Sequence, residues 1–175
     1  PGAEVTDVAA IDVSMSASGS SGLEQQLAAA GSDAAAWAWS GLFGLWGVQS
    51  SAISDAQACA AAPQAGLRCL QGGGSRAVLQ YYDRPAVLLL VGAGGRRVPV
   101  LLQEIRDSYV VLQIVDQQVE VPVGTMERHW FGEYRLLWKT PPGGRAVLRP
   151  GDRGTDVQWL REKLKQATGL SSIAP

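Results

Sequence analysis

Helix-type patterns in the first half of this chain and strand-type patterns in the second predict an α+β fold, with N-terminal helices packed on one antiparallel sheet of about five strands. Up to Tyr82, apolar residues recur at helical spacing behind serines suited to start helices: Ser21, Ser32, Ser54 and Ser75. From Pro85 onward the apolar runs are short, rich in Val and Leu, and divided by turn residues. Of the 175 residues 46% are hydrophobic, enough for the core of one ordinary domain with a small second piece.

Residues 1–20 are Ala-, Ser-, Gly- and acid-rich without a sustained period and read as a flexible lead-in. The chain opens on Pro1 and shows no three-part signal peptide, so it reads as part of a longer protein. Ser21-Gly22-Leu23-Glu24 forms a capping box, Leu23, Leu27 and Ala30 share a helical face, and Gly31 closes the helix. Ser32 caps a second helix from Asp33 to Trp46, ended by Gly47. No charged residue occurs between Ala34 and Ser54. That helix would nevertheless run only roughly 21 Å, against the ~30 Å of a bilayer core, which makes it a buried central helix. Ser54-Asp55-Ala56-Gln57 is a second capping box, opening a helix over Asp55–Ala61 that Pro63 stops. Leu67–Gln71 is a short extended piece, and Ser75 opens a further helix that must end before Arg84-Pro85.

Pro85–Val91 is a continuous apolar run, suited to a strand buried on both faces. Val98–Ile105 and Tyr109–Val115 follow across turns. Val119–Val123 alternates, and its Pro122 favours a sheet edge. A short helix, Met126–Trp130, starts behind Thr125, and Glu133–Lys139 is the last strand. Residues 141–147 are a Pro/Gly linker. In 148–175, Thr155 and Gln158 cap a helix with the stripe Val157, Leu160 and Leu164; Asp156 stands at its positive end, Lys163 and Lys165 near its negative end, and Gly169 terminates it.

With 15 Lys and Arg against 16 Asp and Glu, and the basic residues scattered, the chain is not built for nucleic acid. Two cysteines and one histidine, without a C-x-x-C pair, leave no metal site and call for no cofactor. In an oxidising compartment Cys59 and Cys69 would form a local disulfide contributing on the order of 2–3 kcal/mol; the other reading is two separate buried thiols. Glu104, Glu120, Glu127 and Glu133 show no spacing that singles out a catalytic pair. One alternative enzyme reading pairs Cys59 with His129, oriented by Asp116 or Asp55. Another alternative is a self-association module, a homo-oligomer joined through the Val119–Val123 edge.

The stretch from Asp33 to Gly47, with its opening Asp and closing Leu45-Trp46-Gly47, resembles the active-site helix of C39-type bacteriocin-processing peptidases. By that resemblance the nucleophile's position is held by Ala34, the histidine's by Val98 of Val98-Pro99-Val100-Leu101, and the orienting aspartate's by Gln113 or Ile114. The oxyanion-hole glutamine would fall on Ala28, with Gln25 and Gln26 close by. A cysteine peptidase works through its thiolate, which Ala34 cannot supply. Leu148, Gly151, Gly154, Val157, Leu160 and Leu164 resemble the opening of a three-helix peptidoglycan-binding repeat, truncated within residues 148–175.

Further markers are Gly66-Leu67-Arg68-Cys69, Arg84-Pro85-Ala86, His129-Trp130-Phe131-Gly132-Glu133-Tyr134 and Leu136-Leu137-Trp138. With these the chain is similar, over roughly residues 21–170, to the periplasmic part of the general secretion pathway protein A family, the ATPase-linked inner-membrane component of type II secretion. The resemblance implies a papain-like, C39-like pseudopeptidase domain at 21–140, without activity or cofactor, in the periplasm. It implies peptidoglycan and other type II secretion components as partners, in support of secretin assembly through the cell wall. A cleft that has lost its nucleophile can still hold an extended chain, with Trp37, Trp39, Tyr81, Tyr82 and Trp130 as candidate walls.

Overall fold

Each segment that pairs into the sheet is short, and most carry apolar side chains on both faces. They are β1 (Leu67–Gly73), β2 (Ala86–Val91), β3 (Arg97–Ile105), β4 (Tyr109–Ile114), β5 (Gln117–Pro122) and β6 (Trp130–Lys139). Together they form one antiparallel sheet in the order β1-β6-β2-β3-β4-β5. The computed structural model describes residues 22–168 apart from 53 and 146; the lead-in, Ser21 and Gly169 lie outside that range. The helices are α1 (22–29), α2 (Ala34–Gly44), α3 (Asp55–Ala61), α4 (Arg76–Tyr82), α5 (Val123–His129) and α6 (Thr155–Thr168).

The sheet has six strands where the pattern predicts about five. The extra one is the piece expected to be merely extended: Leu67 to Gly73 pairs in register with Lys139 back to Glu133. Ending in Gln71-Gly72-Gly73, it lacks a strand signature of its own, and only its partner makes it a strand.

The sheet separates two cores. Leu88 and Leu90, Val98, Val100 and Leu102, Val110 and Leu112, and Tyr134 and Leu136 join Leu23 and Leu27 of α1, Leu79 of α4 and Met126 of α5 in the first. Val87, Leu101 and Leu137 join Ala38, Trp39, Leu42 and Phe43 of α2 and Ala58 of α3 in the second. The period-two split along β2, β3 and β6 is the pleat itself. Strand β2 is therefore covered on both faces, as its unbroken apolar run requires, and β5 with Pro122 lies at an edge.

Helix α2 crosses β3 closely because of Gly41, where an added Cβ would meet Leu101 Cδ2 at 2.8 Å. It starts behind Asp33 rather than Ser32, and Asp33 makes no capping bond; its carboxylate accepts from Trp37 Nε1 at 3.1 Å instead. The helix stops at Gly44, and the turn after it closes at Gly47 with φ +71°. Deeper in, the buried Trp39 indole donates to Asp55 Oδ1 at 2.9 Å, and Arg135 Nη2 lies 3.4 Å from the other Asp55 oxygen. Ser54 caps α3 as expected, accepting from Gln57 N at 3.3 Å. Helix α5 begins at Val123, ahead of Thr125, whose buried hydroxyl accepts from Arg128. The disulfide Cys59–Cys69 fastens α3 to β1, with Cα atoms 5.1 Å apart.

Candidate functional site

The site expected of this fold lies at the head of α2, facing the start of β3 and the end of β4. Ala34, Val98 and Ile114, the residues expected there, are 2–3% exposed and belong to the same large buried apolar cluster as Leu27 and Ala30. No side chain of the three can donate or accept a proton. The short turn that aims α2 is fixed from outside by Arg96, which precedes β3. Its guanidinium donates to the carbonyl oxygens of Leu27, of Ala28 at 3.1 Å and of Ala30 at 2.5 Å. A cation on the last carbonyls of α1 satisfies groups the helix leaves unpaired and complements its negative end.

Beside this cluster opens a cavity of about 300 Å³, bordered by Gln26, Ala30, Asp33, Ile114, Val115 and Asp116. Gln26 thus reaches the neighbourhood where an oxyanion-hole glutamine is expected, whereas Ala28 is exposed and has no amide side chain to offer. Val115 adopts φ +56°, a left-handed conformation that costs a β-branched residue about 1–2 kcal/mol. The two-residue turn Val115-Asp116 between β4 and β5 demands it, and Gln113 Nε2 holds it by donating to the Val115 carbonyl at 3.1 Å. Gln113 is itself fixed by Gln103, whose amide donates to it at 3.0 Å. A β-branched residue inside a tight hairpin turn gave no sequence signal for this wall.

The Cys59–His129 alternative is overturned. Both cysteines of the chain are consumed in one disulfide, so no thiol remains. His129 engages the Val91 carbonyl through Nδ1 at 2.9 Å, with Glu24 Oε1 3.9 Å from Nε2, and Asp55 is held by Trp39 and Arg135.

The five candidate aromatic walls do not line one cleft. Trp39 is fully buried in the second core, and Trp130, 6% exposed, sits in the first with its indole donating to the Glu133 carbonyl at 2.7 Å. Tyr82 is half-buried between Tyr81 and Tyr134, with ring centroids 5.6 and 6.0 Å away. Tyr81 and Trp37 are exposed, and Trp37 borders a separate cavity formed with Ser40 and residues 50–52.

In the segment after the linker, both motif glycines have conformations that explain them: Gly151 at φ +91° and Gly154 at φ +113°. Asp152 accepts from Arg149 N at 2.9 Å between them. Asp156, 6% exposed at the head of α6, accepts from Gly143 N at 2.5 Å and Arg145 N at 3.3 Å, tying the linker back onto the helix. The stripe of α6 is left incompletely covered, with Val157 and Leu160 half-buried and Leu164 exposed.

Helices packed on both faces of one antiparallel sheet, with α2 crossing β3, make this a C39 peptidase-like fold. The fold is shared with the peptidase domain of Streptococcus ComA (TM-score 0.54, 10% identity, 62% of this chain and 93% of that one). The chain belongs to the GspA peptidase C39-like domain family, whose model matches residues 23–140. It is 35% identical over 126 residues to general secretion pathway protein A of Aeromonas hydrophila, and 29% identical over 131 residues to a putative general secretion pathway protein A of Escherichia coli K12. These matches take in 72% and 75% of this chain but 23% and 26% of those proteins, so the chain spans about a quarter of their length. A periplasmic domain of the EpsAB fusion protein of the Vibrio vulnificus type II secretion system is also similar, at TM-score 0.64 and 26% identity over 83% of this chain and 64% of that one. Among the described residues no helix is long and apolar enough to cross a membrane.

Proposed function

We propose that this chain is a non-catalytic, periplasmic binding domain of a type II secretion assembly factor. On this reading it holds peptidoglycan, and other components of the same system, while the secretin is assembled through the wall. One observation carries the non-catalytic part: Ala34, Val98 and Ile114, the residues that the resemblance lays on nucleophile, base and orienter, are all buried hydrocarbon within one apolar cluster. A thiolate pathway needs an ionisable sulfur and a proton acceptor at those places. The disulfide supports an oxidising location. Membership of the family and likeness to a periplasmic secretion domain support the setting. The left-handed glycines and the Asp152 turn before α6 support the reading of residues 148–168 as the opening of a wall-binding repeat.

The test has two arms. The purified chain is expected to leave peptides and sacculi uncleaved; hydrolysis that disappears in Cys59→Ala would reverse the non-catalytic reading. It is also expected to pellet with purified sacculi, more weakly once cut back to residues 22–140. Equal pelleting of both forms would remove the terminal segment from the wall contact, and no pelleting of either would remove the wall as ligand.

A further inference from the structure

Residues 48–52, beyond α2, line two adjoining cavities of about 390 and 480 Å³, which share the wall Ser50–Ala52. At one end stand Trp37 and Ser40; at the other, Gln49 and Gln64. Among the described residues no Asp, Glu, Lys, Arg or His lines either cavity. Trp37 is 42% exposed, yet its ring is not loose, because Nε1 donates to Asp33 Oδ2 at 3.1 Å. Across their shared wall the two cavities form a groove that combines an oriented indole face with neutral hydroxyl and amide groups.

We infer that this groove is a saccharide subsite for the neutral, N-acetylated glycan strand of the wall. The inference rests on the peptidoglycan reading given above and names the part of the polymer recognised. A pyranose presents a flat C–H face, which an exposed indole covers, and a rim of hydroxyl and acetamido groups. Serine and glutamine side chains both donate and accept, which matches that rim. The stem peptides of the wall carry carboxylates, whose recognition calls for Arg or Lys, and this lining has neither. The chemistry of the groove thus selects sugar over peptide.

The probe is chitotetraose, titrated into the full chain while the indole N–H resonance of Trp37 is followed by NMR. A saturable shift is expected, with roughly tenfold weaker binding in Trp37→Ala and a smaller loss in Gln64→Ala. Circular dichroism of both variants should match the parent, since Trp37 and Gln64 are exposed. A chain that pellets with sacculi but ignores chitotetraose, or whose Trp37→Ala variant binds it as well as the parent, overturns the groove while the wall-binding reading stands. Failure with both sacculi and chitotetraose overturns both.

Discussion

The head of α2 begins with Ala34, 3% exposed in a cluster that includes Leu27, Val98 and Ile114. The head of α6 holds Asp156, 6% exposed, with its two oxygens taking the backbone amides of Gly143 and Arg145. Both are helix N-termini, where the macrodipole favours a negative group. In an active cysteine peptidase the first would stabilise a thiolate. Here one terminus carries a methyl group and is part of the core, while the other carries a carboxylate that accepts from two backbone amides. The difference shows what decides whether a buried carboxylate is tolerated: partners supplied by the local fold, more than the dipole alone.

The comparison breaks most readily at α2. Ala34→Asp puts a carboxylate into the buried apolar cluster that also holds Leu27, Val98 and Ile114, and should destabilise the domain by about 3 kcal/mol. Urea unfolding measures it; an unchanged midpoint would mean that the head of α2 is open to water. At α6 the opposite deletion, Asp156→Ala, should cost about 1–2 kcal/mol, a loss on the scale of a helix cap. That loss is local. Hydrogen exchange at Gly143 and Arg145 should quicken while the sheet amides stay protected, and a uniform loss of protection would mean that α6 is integral to the domain.

A third carboxylate sharpens the scale at its weak end. Glu133 is half-buried and paired with Arg97, and that hydrogen bond, opposed by partial burial and helped by the charges of Arg97 and Arg135, holds its pKa below the ordinary carboxylate value. A folded-state pKa below the unfolded one adds stability that is fully present above the unfolded value, near pH 4.5, and is lost as pH falls through the folded value. Arg97→Ala should therefore raise the Glu133 titration midpoint seen by NMR and reduce stability only slightly at neutral pH, as befits a partly solvent-exposed pair. An unmoved midpoint would assign the shift to another group.

Much of the fold was legible because its signals are short-range. Ser54 caps α3, α4 ends before Arg84-Pro85, Pro122 marks an edge, and Pro85–Val91 runs through the middle of the sheet. Each of these depends on residues within a turn or two of each other. The misses are long-range. Strand β1 escaped notice because its pairing with β6 is supplied from some seventy residues away, as Leu67 opposite Lys139 makes plain. Trp39 and Trp130 looked available for a cleft because an aromatic residue's sequence neighbours do not say which layer it enters. The groove beside Trp37 was illegible for a related reason: its walls come from α2, an irregular loop and α3, and none of them carries a motif.

For the expected catalytic positions, the sequence determines that none of Ala34, Val98 and Ile114, the residues the resemblance assigns to them, can ionise. Only the folded arrangement decided that these side chains share one dry cluster, that both sulfurs are spent on a crosslink, and that the lone imidazole is engaged by the Val91 carbonyl. Chemical capacity is a property of each side chain and is written residue by residue. Proximity, burial and the supply of partners are properties of the packed chain, set when segments distant in sequence exclude water together.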